Sequence, residues 1–438
     1  MPVERYDRYH EGDRAEDYRT PGQRDRDRVL YTSALRRLGA VTQVVSPTEG
    51  VLFHNRLTHT LEVAQIARRM AERLGEEQEQ TTQNVGGIDP DVVEAAALVH
   101  DLGHPPFGHA VEDELDSLVR AADVMDGFEG NAQSFRIATK LATRNVNFPG
   151  LNLTRATLNA TLKYPWGRAT SGYAQRKWGA YGTERDEFEF ARESHPAGNT
   201  GRSVEAELMD WADDIAYAVH DVEDFYRVGL IPLDRLRSDL QEVQRFVRKA
   251  VQHLSEEVPR YQALDPSDLV DAMVEAFKEA VWSGPTLEPY RATRRQRAGL
   301  RTYTSGRINN YVNAIEIIPD REPGHQVQKT SEAEDQVNIL KQLTRIYVIE
   351  NPALETQQHG QRQIVEVLFG IYLKAVREGD ETGVIPPGYR EEVEDADGDE
   401  ERVRIVADMI SSMTEEQLQK THRRLTGLSP GSVMDIIQ

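Results

Sequence analysis

The chain has 438 residues, which at about 150 residues per domain leaves room for roughly three domains and a large core. Its 73 acidic against 52 basic side chains give a net charge of −21, so bulk nucleic acid and anionic membranes repel it, and any phosphate-bearing ligand has to meet a local cluster of cations. The absence of cysteine excludes disulfides, thiolate metal sites, iron–sulfur clusters and a cysteine nucleophile, so any metal binds nitrogen or oxygen.

Residues 1–28 read as a charged amino-terminal arm. The arm lacks the apolar stretch of a signal peptide, and no apolar run approaches the ~20 residues a bilayer span needs, so the expectation is a cytoplasmic protein without a membrane partner. Alternating strand patterns are absent except for one short β-hairpin near 41–53. Leu57, Leu61, Ala64, Ala67, Ala71 and Leu74 recur at spacings of three and four, which predicts an amphipathic helix from Arg56 to Leu74, stopped by Gly75. Pro90 then opens DVVEAAALVHDLGH, whose central turns are apolar on nearly every side and predict an interior helix. Residues 164–202 scatter Pro, Gly, Trp and Tyr among charges and read as a long loop or lid. Helical spacing returns with Leu208, Ala212, Ile215, Val219 and Val222 as one stripe, ended by Gly229. Further helices are expected over 233–282, 303–317, 332–349 and 361–377, with an acidic insertion near 378–403. The chain therefore reads as all-α: a core over 29–230 and a helical carboxy-terminal part over 231–438.

Chemistry concentrates in HDLGHPPFGHAVEDE, His100 to Glu114, directly after the apolar run AAALV. An interior helix end bearing this many ionisable groups is costly unless a cation compensates it, and a divalent ion bound by Asp101 and neutral His100 does so. His59 lies beside Val63, Ile66 and Met70 at helical spacing, which half-buries its ring; alone, such a histidine is more often merely hydrogen-bonded than a ligand. Asp213 stands in the WADD pair further on.

The ordered set His59, His100–Asp101, Asp213 resembles the H…HD…D pattern of HD-domain metal-dependent phosphohydrolases. The strings FHNRLTHTLEVAQIAR, HDLGHPPFGHAVEDEL, FEGNAQSFRI, LKYPW and MDWADDIAYAVHDVED resemble the deoxyguanosine triphosphate triphosphohydrolase branch, over roughly residues 28–230. The resemblance implies an HD-domain helical bundle and one divalent ion held by His59, His100, Asp101 and Asp213. Mn²⁺ or Mg²⁺ is the first expectation, although two imidazoles and two carboxylates also suit Co²⁺, Fe²⁺, Zn²⁺ and Ni²⁺. It further implies that His109 and Glu112 handle protons, and that His104 and Arg56 contact phosphate. Tyr217 and Asp221 match positions that hold the deoxyribose, and Arg295 and Tyr303 match a distal part of the substrate pocket. The implied reaction is water attack at the α-phosphorus of a deoxynucleoside triphosphate, releasing deoxynucleoside and inorganic triphosphate. A homo-oligomer, with an activating nucleotide, is expected from the family. The alternatives are another HD phosphohydrolase, a monophosphatase or phosphodiesterase, or a non-catalytic nucleotide-sensing or single-strand-binding protein. No residue singled out selects guanine over another base.

Spacing supports part of this independently. Arg56 and His59 share one helix face, so a guanidinium and an imidazole can hold a phosphate beside a metal. Asp213, Tyr217 and Asp221 also share a face, but one opposite the apolar stripe; by periodicity it reads as a solvated acidic surface unless a second layer of protein covers it. Pro105, Pro106 and Gly108 break the chain before His109 and can re-aim its ring, whereas the bland reading leaves His109 as a cap and Glu112 in solvent. Lys163 and the acid-free run Arg291 to Arg307 supply positive charge. That run could grip a triphosphate, an activating nucleotide, or single-stranded nucleic acid stacked on Tyr303 and Tyr311; equally, it could be an exposed basic helix.

Overall fold

In the computed structural model the described residues are 4–11, 18–44, 53–195, 198–282, 289–379 and 383–429. Helices dominate them. α1 (Pro21–Leu30) and α2 (Ser33–Arg37) lead into α3 (Arg56–Glu77), α4 (Glu79–Asn84), α5 (Pro90–Val99) and α6 (His109–Ala121). α7 (Gly130–Arg136), α8 (Arg155–Thr161) and α9 (Arg185–Arg192) precede the long α10 (Val204–Arg227). Then come α11 (Leu233–Ser238), α12 (Leu240–Glu257), α13 (Pro259–Gln262), α14 (Pro266–Phe277) and α15 (Arg294–Asn313). A two-stranded antiparallel sheet, β1 (Ile315–Ile317) with β2 (Val327–Lys329), pairs Glu316 with Gln328. α16 (Ser331–Thr344), α17 (Pro352–Glu378), α18 (Pro387–Asp395), α19 (Asp399–Ser411) and α20 (Glu415–Leu425) follow.

The apolar stripes read from the sequence build the core. Val63, Ile66, Ala67 and Met70 of α3, Val93 and Ala97 of α5, and Leu208, Ala212, Ile215 and Val219 of α10 belong to one buried cluster, so α3, α5 and α10 pack mutually. A second core joins Val111, Leu115 and Val119 of α6 to Leu368 and Phe369 of α17 and to Val406 and Ile410 of α19. The HD motif runs between these cores, since α5 serves the first and α6 the second.

Three expectations change, and a fourth lies mostly outside the described residues. Gly75 does not stop α3, which continues to Glu77. The basic run is helical from Arg294, and Ile315–Ile317 is a strand rather than the end of that helix. Residues 45–52 of the expected hairpin lie outside the described residues; at its margins Thr42 and Asn55 form a single antiparallel bridge. The stretch read as a lid contains α9, and it buries Trp178 and Tyr181. No helix among the described residues is long and apolar enough to cross a membrane.

Candidate metal and phosphate site

Three elements deliver four side chains to one place. Asn55 caps α3 by accepting the Thr58 N–H at 2.9 Å, which sets Arg56 and His59 on the first turn, both 2% exposed. α5 stops at Val99, with His100 as its carboxy-terminal cap and Asp101 next, and both are buried. α10 brings Asp213 from across the core. The face read as solvated acid is covered: Asp221 is 4% exposed, Lys163 donates to Asp213 Oδ2 at 2.9 Å, and Lys341 of α16 donates to Asp214 at 2.6 Å.

His59 Nε2 lies 3.1 Å from Asp213 Oδ1. His100 Nε2 lies 3.7 Å from that oxygen and 3.5 Å from Asp101 Oδ1. Such separations suit donors about 2.0–2.2 Å from one shared ion. His100 Nδ1 donates to the Ala97 carbonyl at 2.6 Å, which leaves Nε2 as the acceptor nitrogen, and that nitrogen is buried without a hydrogen-bond partner. A metal-binding histidine presents this arrangement. The electrostatics of His100 and the two carboxylates agree, whereas, against its burial, Asp213 raises the pKa of His59. Burial lowers the pKa of His100 and favours the neutral ring. Asp101 is held well below the usual carboxylate range, against its burial, by His100 and Arg56. Asp213 is held low likewise by Lys163 and His59. Neutral imidazole and ionised carboxylates are the forms that bind a cation. The cluster His59, His100, Asp213, with Asp101 at its edge, therefore fits a divalent ion.

The turn from Asp101 to His109 depends on two glycines. A Cβ on Gly103 would sit 2.2 Å from the Ser134 nitrogen, so the motif lies directly on the α7 backbone. Phe107 and Gly108 both take positive φ, 66° and 64°, and this reversal starts α6 at His109. A second group follows: His104, His109 and Glu112 bring ligand-type atoms within 4.8 Å of one another. His104 joins the groups, with Nδ1 2.9 Å from Asp101 Oδ1 and Nε2 3.9 Å from Glu112 Oε2. Glu112 faces inward and is 3% exposed, contrary to the solvent-facing reading. The ring of His109 opens to solvent within a crowded recess. The crowding lowers its pKa, Glu112 opposes that, and the nearby cations of Arg56 and Lys177 add to it.

Two partners of this group were not singled out in the sequence. Lys177, from the 164–202 stretch, donates to Glu112 Oε1 at 2.8 Å and to Glu129 Oε1 at 3.0 Å. Against its burial, Lys177 and His109 hold Glu112 far below the usual carboxylate range. A lysine in an irregular segment carries no periodic signal, whereas Glu129, which caps α7 by accepting from Asn131 and Ala132, stands in FEGNAQ and was open to discovery as a capping acid.

Arg56 donates to Asp101 Oδ2 at 2.9 Å, while its Nε and Nη2 are buried without partners. Buried guanidinium donors left free beside a metal cluster suit phosphate oxygens. Lys163 bridges Asp213 and Asp210, 2.9 Å from each. Tyr217 and Asp221 follow Asp213 along α10; burial pushes the Asp221 carboxyl up to about 7, His59 opposing and Asp224 adding, and its Oδ2 has no partner. The structure does not bring the remaining two candidates to this cluster. Arg295 is exposed on the first turn of α15, and the Tyr303 hydroxyl donates to the Ala280 carbonyl at 2.5 Å. Tyr311 is 1% exposed, so its ring cannot stack on a nucleic acid.

These features, a helical core with paired histidines and aspartates at a helix end, define an HD-domain phosphohydrolase. Residues 56–218 match the HD domain family and residues 327–424 the phosphohydrolase-associated domain family. A deoxyguanosinetriphosphate triphosphohydrolase-like protein of Corynebacterium efficiens is 36% identical over 94% of this chain and 93% of its own length. One of the same description from Streptomyces coelicolor is 36% identical over 93% of each chain. Another, from Wolinella succinogenes, is 40% identical over 63% of this chain and 67% of its own. The chain belongs to the deoxyguanosinetriphosphate triphosphohydrolase-like family of HD-domain proteins.

Proposed function

We propose that the protein hydrolyses deoxynucleoside triphosphates to deoxynucleoside and inorganic triphosphate, using one divalent ion, Mn²⁺ or Mg²⁺, held by His59, His100, Asp101 and Asp213. The observation that carries this reading is the adjacency of two unfilled valences. His100 Nε2 faces two ionised carboxylates, and Arg56, bonded to one of those carboxylates, keeps two buried donors free. A cation and a phosphate thus have places side by side. When bound, the ion supplies Lewis-acid polarisation of a phosphoryl oxygen and acidifies a coordinated water.

The chain's own groups do the rest. Arg56 orients the phosphate and offsets charge developing on it. His109, neutral at pH 7, accepts the proton of the water that attacks the α-phosphorus, and ionised Glu112 steadies the imidazolium that forms. Returned to O5′, that proton completes the deoxynucleoside, and the triphosphate leaves intact. His104 sits between Asp101 and Glu112 and contacts phosphate from that side. Lys163 neutralises Asp210 and Asp213 beside the entering anion. Tyr217 packs on the deoxyribose, and Asp221 accepts its 3′-hydroxyl. Arg295 and Tyr303 belong to this reading only if α15 approaches the distal end of the bound nucleotide. The printed names of the relatives support the substrate class.

Product analysis tests the reading. Purified protein with Mn²⁺ or Mg²⁺, given each deoxynucleoside triphosphate singly and in mixtures, should release inorganic tripolyphosphate visible by ³¹P NMR. Monophosphate with pyrophosphate, or orthophosphate alone, would refute it.

A further inference from the structure

A second histidine–carboxylate cluster lies on α3 and α10, outside the site just described. His54 precedes α3, Glu62 is on α3, and His220 is on α10; their ligand-type atoms fall within 4.8 Å of one another. His54 Nε2 is 3.1 Å from Glu62 Oε1, and His220 Nε2 is 3.6 Å from Glu62 Oε2. Donors about 2.05 Å from a tetrahedral ion stand about 3.3 Å apart, and each histidine lies near that separation from one oxygen of Glu62. The imidazole rings are tilted by 57° with centroids 5.3 Å apart; the contact is not a stack, and their edges converge on the carboxylate.

The supporting contacts have the form of a metal site's outer layer. His54 Nδ1 bonds Asp224 Oδ2 at 2.6 Å, and the His54 backbone N–H donates to the same oxygen at 2.7 Å. Asp224, 3% exposed, thus fixes the ring so that Nε2 faces Glu62. A carboxylate behind the far nitrogen of a ligating histidine orients the ring and raises its basicity. Glu62 Oε2 is buried without a hydrogen-bond partner, and burial favours the neutral ring of His220. The side chains of His54, Glu62 and His220 are 21%, 30% and 13% exposed, which leaves an ion a path from solvent.

We propose that His54, Glu62 and His220 bind a second divalent transition-metal ion, with Asp224 as the orienting partner. Two imidazoles with a carboxylate select Zn²⁺, Co²⁺ or Ni²⁺ over Mg²⁺ or Ca²⁺. The ion ties the segment entering α3, immediately before Arg56 and His59, to the half of α10 beyond Asp213. Its role is to brace the two helices that carry the phosphate and metal ligands. This inference does not depend on the proposed reaction, because it concerns different side chains and is read by metal content.

The test is metal stoichiometry on the full chain after loading with Zn²⁺ or Co²⁺ and gel filtration. Wild type should retain two equivalents. His54→Gln and His220→Gln should each retain one, as should His100→Ala, and His54→Gln combined with His100→Ala should retain none. Co²⁺ titration of wild type alone should give two breaks in visible absorption, a readout that needs no variant to fold. A single equivalent and a single break in wild type would overturn the proposal, as would a second equivalent kept in full by both His54→Gln and His220→Gln.

Discussion

Two of the three histidine–carboxylate clusters stand on the same pair of helices and differ in what completes them. Around His59 and Asp213 the third contributor is the end of α5, which places a neutral His100 and an ionised Asp101 in the protein interior. Around Glu62 and His220 the third contributor is the short segment before α3, and its His54 is partly open to solvent between two carboxylates. Against desolvation, hydrogen bonds to Asp224 and Glu62 raise His54 to about 10, so an ion binding there has to displace a proton. Burial and ligand protonation, more than residue type, set what each cluster can do.

Variants should separate the clusters. The largest effect is expected from His100→Ala, which should abolish bound catalytic metal together with triphosphate release. Turnover at the wild-type rate, measured on protein of verified metal content, would remove the distinction. His109→Ala should keep its metal and lose about 10²–10⁴-fold in kcat, the usual worth of a positioned proton acceptor; near-normal kcat would remove His109 from that role. Lys177→Met should cost about 10–100-fold, the range for losing an outer partner. It should also move the acid limb of kcat/KM to higher pH, because Glu112 loses the cation that holds its pKa down. An unmoved limb would mean that the lysine serves packing alone.

A further effect concerns stability. In metal-free protein His54→Gln should cost about 1.5–3 kcal/mol, the scale of hydrogen bonds to charged groups, by urea unfolding. His54 titrates higher folded than unfolded, so its contribution is complete below about 6.5 and fades as pH rises towards 10. The groups facing it are Glu62, Asp224 and His220; of these Glu62 titrates lower folded than unfolded, which removes stability only in acid. A wild-type advantage that grew from pH 6 to pH 9 would contradict this sign.

Much of the first cluster was legible in the sequence, because helical period and motif spacing put Arg56 and His59 on one face and Asp213, Tyr217 and Asp221 on another. Periodicity gave the wrong environment for the α10 face, since amphipathic spacing reports the first layer of packing and cannot see Lys163 or α16 closing over it. Lys177 was invisible for a related reason: its value comes from a long irregular segment folding back on Glu112. His54 and His220 lay inside recognised strings, yet only the tertiary fold brings them to Glu62. The ending of α3 was misjudged at Gly75 because a single glycine within a helix costs only about 1 kcal/mol, and the helix runs on to Glu77. Tyr311 was misplaced because its ring, on a helix rich in arginine, turns inward, where it is buried and its hydroxyl donates to Gln336 Oε1 at 3.2 Å.

The most direct measurement is anomalous scattering at the manganese edge from crystals grown with Mn²⁺ and a non-hydrolysable deoxynucleoside triphosphate. The account predicts a peak bonded to His59, His100, Asp101 and Asp213, with a phosphate oxygen on the free donors of Arg56. Strong density elsewhere, with those four side chains directed away from one another, would contradict it.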